Sequence, residues 1–349
     1  MVLHAIENML FRKVAPFTIR HIKRPDLNTD DRLAVKVLEQ ASREFQVAPP
    51  VTLHLPDPLL MAGIWGLMRE SFVIHSSGRM VREGVAAAVS KLNECPYCVD
   101  VHASMHLSAG GKCSALNDDL FTGSTPSAMA YQWASETLNP DSEVISEPKI
   151  LPADRPQIFA TAICFHFINR MVNIFLDAAP MPMPAANSAF MRSFSRASLR
   201  FFGRRMVQLD GSPGVFIIDT SEMALPPEFS WSVSDPNVAG SLARFTYAAE
   251  EAGRESLHED VRALVTGHLR EWHGEQPELG RSWVEALVEP LDARLRPSAR
   301  LALLAARASW QIDDRLIQDF RALVDDDRTL VQVTGWAAFA AVKRIAGWL

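Results

Sequence analysis

Two cysteines, Cys95 and Cys98, stand in the stretch NECPYCVDVHASMH. The whole chain of 349 residues has four, with Cys113 and Cys164 the others, far too few for a disulfide-stapled scaffold. In a reducing compartment a C-x-x-C pair points to redox catalysis or metal binding rather than to architecture. Pro96 suits the first turn of a helix, where the amide it lacks would be unpaired anyway. With Asn93 or Glu94 as the cap, Cys95 falls at the helix start and Cys98 within its first turn. The helix dipole and the free amides there favour thiolate over thiol. His102, four residues beyond Cys98, lies on the same face. An imidazole in that place can hydrogen-bond the sulfur or relay its proton.

The preceding stretch, REGVAAAVSKLNE, reads as an antiparallel partner helix. A short turn at Leu92-Asn93-Glu94 folds Glu83 back toward the cysteines. A carboxylate among Val81, Val85, Ala86, Ala87, Ala88 and Val89 is expected to have a raised pKa and to shuttle protons; it can instead pair with Arg79 or Arg82. Cys95, Cys98, His102 and His106 are also zinc-ligating types, but all four come from one helix, whereas structural zinc joins separate segments. His106 therefore reads as a rim residue, and Cys113 and Cys164 as packed or rim cysteines. Farther on, His166, Asn169 and Arg170 share a helix face. With Tyr97 they are candidates for lining a substrate pocket, and equally for a buried structural network.

The elements that must position these groups read as helical nearly throughout. Asp30 and Asp31 can cap a helix through Leu33, Val37, Leu38 and Ala41. Apolar residues at helical spacing mark Leu59 to Ile74, with Met61, Ile64, Trp65 and Met68 on one side. Arg79 to Leu92 and Pro96 to Leu107 follow, the latter stopped by Gly110-Gly111. Met129 to Leu138 and Pro156 to Leu176 complete the first half. VFIID (215–219) is the one weakly strand-like stretch.

The prolines of AAPMPMPAA (178–186) forbid a continuous helix. RSFSRASLRFFGRR follows, with Arg192, Arg196, Arg200, Arg204 and Arg205 and no acid. It reads as the solvated face of a short helix or as an anion patch. LPPEFSWSVSDPN (225–237) is a second loop. From about Val238 the pattern is helical again and echoes the first half: PSARLALLAARASWQ resembles RMVREGVAAAVSKLN, and DRTLVQVTGWAAFAAVKRIAGWL resembles DRPQIFATAICFHFINRMVNIFL. The organisation expected is a helical domain over 1–177, a Pro/Arg-rich linker over 178–237 and a degenerate repeat over 238–349 without cysteine.

Hydrophobic residues make up 48% and charged residues 22%, a composition that builds a packed core. A net charge of −6 gives no global attraction to nucleic acid or to an anionic membrane. The N-terminal stretch lacks a signal-peptide pattern. The most apolar run, Thr161 to Leu176, is broken by His166, Asn169 and Arg170. The expected location is the cytoplasm.

Glu83, eleven intervening residues, then Cys95-x-x-Cys98-x-x-x-His102 resembles the signature of the alkyl hydroperoxidase D branch of the carboxymuconolactone decarboxylase superfamily. The likeness is strong over about Leu59 to Gly111 and looser to Asp177, where FHFINRMVNIFLD is similar to a later helix of these proteins. The resemblance implies an all-α helical bundle assembled as a homo-oligomer. It implies peroxide reduction, with Cys98 as the peroxidatic thiolate, Cys95 as the resolving thiol, and Glu83 and His102 as a proton relay. It further implies no bound cofactor or metal, and an external dithiol reductant, a lipoyl-bearing or thioredoxin-like protein. Tyr97 stands where family members carry a histidine that joins the relay; its hydroxyl can still donate a hydrogen bond. Two other readings keep the fold: a decarboxylase-type lyase, which needs no vicinal thiols, and a non-enzymatic oligomeric binding protein.

Overall fold

The computed structural model describes residues 15–74, 78–111, 125–177, 211–219 and 223–349. Cys113 and the arginines of 192–205 lie outside these. Among the described residues the fold is all-α, with one isolated bridge, Ile19 to Leu176, in place of any sheet.

Local chemistry sets the helix starts. Helix α1 (Arg32–Glu44) begins at Asp31, whose carboxylate accepts from the amides of Leu33 and Ala34. It buries Ala34, Val37, Leu38 and Ala41 at the predicted spacing. Asp57 caps α2 (Pro58–Met68), with Pro58 in the first turn. The helix expected to run on to Ile74 instead widens into a π-helical turn over Arg69–Val73. That widening leaves the Ser71 carbonyl to accept from the Thr161 hydroxyl at 2.9 Å and the Phe72 carbonyl to accept from Arg79 at 3.2 Å, an exchange typical of π-bulges near functional sites. Helix α3 (Arg79–Leu92) has the predicted bounds. Helix α4 (Pro96–Ser108) stops before Gly110, whose φ of +95° suits only a residue without Cβ. Helix α5 (Pro126–Ser135) starts three residues before the expected Met129, because Thr125 caps it and Pro126 opens it. Helix α6 (Arg155–Phe175) closes the first half.

The second half holds α7 (Pro236–Ser256), α8 (Glu259–Arg270), α9 (Ser282–Val288), α10 (Arg296–Arg307), α11 (Asp314–Arg321) and α12 (Asp327–Ala346). Helix α3 packs on α4, α5 and α6; α7 packs on α2 and α12; α12 packs on α6 and α10. Residues from both halves thereby join one continuous apolar core. Helix α6 runs through it. It is long and apolar enough to cross a membrane by composition, but 94% of its most apolar window is buried against the rest of the chain.

Two expectations change here. VFIID forms no strand. Its neighbourhood is instead tied down by polar contacts: Arg69, paired with Glu44 and Glu70, donates to the Ser212 carbonyl at 2.8 Å, and the Gly214 amide donates to Glu70 at 3.1 Å. The stretch 225–237, expected as loop, contains a 3-10 helix over Pro227–Ser232. Its Phe229 is fully buried, and Trp231 meets the Phe159 ring edge-on at 5.6 Å. Apolar anchoring has overridden the proline-rich pattern.

Candidate active site

Helices α3 and α4 form the antiparallel pair expected from the sequence, and the turn between them presents the two cysteines. The cap is not as expected. Cys95 itself occupies the N-cap position and no side chain caps the helix. Glu94 takes up a φ of +51° in the turn, and the Asn93 side chain turns into the protein. Its amide nitrogen donates to the Val89 carbonyl at 2.8 Å and to Asn169 Oδ1 at 3.2 Å.

Cys95 and Cys98 are both buried and are not joined in a disulfide. The helix start alone predicts a stabilised thiolate; the structure reverses that for Cys98. Burial pushes its thiol well above the ordinary range, and the contact with Cys95 adds to the rise, while a hydrogen bond from Asn169 opposes it. Desolvation of a charge in an apolar interior outweighs the few exposed amides of one helix end. Tyr97 is buried beside the pair, and burial likewise drives its hydroxyl upward, so it stays a donor.

Glu83 is completely buried. One carboxylate oxygen accepts from Arg79 Nε at 2.8 Å, and the other lies 2.7 Å from His102 Nδ1. The raised pKa expected for this group is corrected. Burial pushes it up, but the Arg79 charge and the His102 and Arg79 hydrogen bonds together hold it below the usual carboxylate range. The pairing with Arg79, one turn before Glu83 on the same helix and one of the two arginines the sequence offered, is present beside the His102 contact. The guanidinium also lies 4.1 Å over the Phe72 ring. His102 is wedged between aromatic rings, edge-on to Phe165 at 4.4 Å and to Phe72 at 5.6 Å. It sits one helical turn beyond Cys98, with a carboxylate fixing its orientation.

His106 is buried rather than on a rim. Its Nδ1 meets the Met80 carbonyl at 2.9 Å, away from the zinc-like set to which the sequence assigned it as a rival reading. Among the described residues no three His, Cys, Asp or Glu side chains converge on a metal-sized site. Cys164 is packed in α6, its thiol also driven upward by burial.

His166, Asn169 and Arg170, with Asn173, make a polar stripe at i, i+3, i+4, i+7 along α6. All but the half-buried Asn173 are buried. His166 Nε2 pairs with the Thr137 hydroxyl at 2.9 Å and Nδ1 with Asn93 at 3.0 Å. Arg170 donates to Asn93 Oδ1 at 2.7 Å and to the Ala306 carbonyl at the end of α10 at 2.9 Å. Asn173 joins the Asn93 carbonyl to Ser309. The stripe therefore lies under the cysteine turn, its polar atoms spent on one another. Sequence reasoning missed Asn93 as the hub and Ser90 and Thr137 as partners. The signal available was the stripe itself: four polar residues on one face of an otherwise apolar helix need buried partners.

No family model matches the chain. Alkyl hydroperoxide reductase Rv2159c of Mycobacterium tuberculosis is 30% identical over 318 residues, a span covering 90% of each protein. That extent takes in both halves and the whole site. With its all-α bundle and its C-x-x-C helix start, the chain belongs to the alkyl hydroperoxidase D-like family.

Proposed function

We propose that the protein reduces hydroperoxides through a Cys95/Cys98 dithiol–disulfide cycle. The observation that carries this reading is the buried Glu83–His102 pair set one helical turn beyond Cys98, with a second free thiol, Cys95, at the start of the same helix. The Cys98 thiol gives up its proton toward the His102–Glu83 relay. The resulting thiolate attacks the terminal oxygen of the hydroperoxide; the O–O bond breaks, the alkoxide takes a proton and leaves as alcohol, and Cys98 becomes a sulfenic acid. Cys95 then attacks that sulfur, forming the disulfide and releasing water. An external dithiol, on a lipoyl-bearing or thioredoxin-like protein, restores both thiols. A cytoplasmic setting suits that cycle, and a homo-oligomer is the expected assembly.

Glu83 orients His102 and, held as a carboxylate by Arg79, favours the imidazolium when the thiol proton arrives. Tyr97, where relatives carry a relay histidine, contributes a hydroxyl donor only. His166 and Arg170 support the site from below rather than touching substrate. The 238–349 segment is a second helical unit without thiols, whose α10 end buttresses the cysteine turn through Arg170.

The test is direct. The reduced protein is mixed with an organic hydroperoxide, with and without a dithiol, while peroxide loss and free thiols are followed. One equivalent of peroxide consumed per Cys95–Cys98 disulfide formed, with turnover once dithiol is added, is the expected result. Retention of both thiols with no peroxide consumed refutes it.

A further inference from the structure

Helices α8 and α12 pack against one another in the half of the chain without cysteines, but they do not close along their whole length. A cavity of about 560 Å³ opens there, lined by one face of each helix, by Glu250 of α7 and by Glu228 of the 3-10 turn before it. Ala263 on α8 and Ala340 on α12 extend only methyl groups into the gap, so the helices leave it unfilled. Its size lies within the range of about 300–1,000 Å³ typical of small-molecule sites. Trp336 and Leu269 give it a buried apolar wall. The Trp336 ring is fixed in place. Gly253 lies so close that a Cβ there would overlap it, and its indole N–H donates to Glu250 at 3.3 Å.

The charges around the cavity are unevenly spent. Lys343 stands between two carboxylates, 3.8 Å from Glu228 and 4.0 Å from Glu250. The arginines have no such counterpart. Among the described residues Arg262 and Arg270 make no ion pair. Arg344 spends its Nε on the Trp272 carbonyl at 3.0 Å. Trp272 follows Arg270 by two residues, so Arg344 and Arg270 stand together where α8 ends. Arg262 lies eight residues back, about 12 Å along the helix. Two buried atoms of the lining residues are left without hydrogen-bond partners, Arg262 Nε as a donor and Glu228 Oε2 as an acceptor. Buried polar groups are normally satisfied, so a cavity with both kinds of orphan is chemically incomplete.

We propose that this cavity is a binding site for a small organic oxyanion, a carboxylate or a phosphate monoester with an apolar body. Arg270 and Arg344 hold the oxyanion, since a guanidinium presents paired N–H donors that match carboxylate and phosphate oxygens. The body lies over Ala263 and Ala340 against Trp336 and Leu269. Arg262 Nε meets a polar group at the far end. The site stands on other helices than Cys95 and Cys98, and the proposal does not rest on thiol chemistry.

The experiment titrates the full chain with 1-naphthyl phosphate, 1-naphthoate and neutral 1-naphthol by isothermal calorimetry. The three share one body and differ in the oxyanion. At least one anion is expected to bind with a dissociation constant below about 1 mM, and the tighter of the two tells phosphate from carboxylate. Naphthol is expected to bind at least about tenfold more weakly than that anion. Arg270→Gln weakens the anion by about tenfold or more, and Ala263→Leu, which fills the gap, removes binding. Both positions are exposed on α8, so these variants keep the fold. In the unsubstituted protein the Trp336 indole N–H signal shifts as the anion is added. Binding of neither anion overturns the proposal. So does naphthol binding as tightly as the anions, an affinity unchanged in either variant, or a Trp336 signal that does not move. No peroxide is used, so this result and that of the peroxidase test are independent.

Discussion

Replacing Glu83 by glutamine separates the relay from mere packing. The carboxylate serves two donors at once, Arg79 at 2.8 Å and His102 at 2.7 Å, with no solvent exposure. Glutamine matches the volume but keeps only one acceptor oxygen, so its NH2 either opposes the Arg79 donor or faces His102, which must then switch tautomer to accept. Breaking a buried ion pair by removing one partner costs about 3–5 kcal/mol. Because one bond survives, the lower end, about 3 kcal/mol, is expected for Glu83→Gln. For a chain of this size that corresponds to a melting temperature lower by roughly 4 °C. Turnover is then measured well below the transition, with circular dichroism showing the fold retained. Loss of an oriented acid–base group lowers the rate by about 100-fold to 10,000-fold, so dithiol-coupled peroxide consumption should fall by at least about 100-fold. A folded Glu83→Gln protein that turns over within about threefold of the parent would refute the relay, whatever its melting temperature.

Other outcomes follow from the same geometry. In Cys95→Ser the first step proceeds but resolution cannot, so Cys98 should accumulate as a sulfenic acid trapped by dimedone, whereas Cys98→Ser should trap none; mass spectrometry decides. The Glu83 carboxyl is held below its ordinary 4.5 in the fold. Its stabilising contribution is therefore present above that value and lost as pH falls through the folded one. Denaturant unfolding between about pH 6 and 3 should weaken more steeply in the parent than in Glu83→Gln. The Cys98 thiol is shifted the opposite way, so its contribution is present below an unfolded pKa of about 8.5 and lost as pH rises from there. Stability should thus decline in alkali less in Cys98→Ser than in the parent. Gly274 has a φ of +91°, and a Cβ there would sit 1.7 Å from the Leu138 carbonyl oxygen; Gly274→Ala should lower stability by about 2 kcal/mol, read by denaturant unfolding. That turn also places Gln276 to donate to the Leu92 carbonyl at 3.1 Å, beside the cysteine turn.

Much of the site is legible in the residues alone. The spacing of Cys95, Cys98 and His102 puts them on one helix face, and Pro96 marks where that helix starts. Twelve residues back, Glu83 must meet them once a short turn reverses the chain, and it lies against His102 as that reasoning requires. These are consequences of local geometry, in which periodicity, turn length and a proline's missing donor leave few alternatives. The all-α class follows from the same periodicity.

Other properties depend on what the assembled core places around each group. Helix-start chemistry makes Cys98 look like a ready thiolate, but burial in the assembled core reverses its ionisation. For Glu83 the residues alone leave two outcomes open, a neutral acid among apolar neighbours or an ion pair with Arg79 or Arg82; in the fold the Arg79 charge and the His102 bond together outweigh burial and keep it charged. The stripe His166, Asn169, Arg170 reads equally as a pocket lining or a buried network; only the packing of α6 against α3 and α10 makes it an internal network centred on Asn93. Residue type and spacing determine which groups can meet, because backbone geometry is local. Whether a group that arrives is charged depends on desolvation and on counter-charges, and only the assembled core sets those.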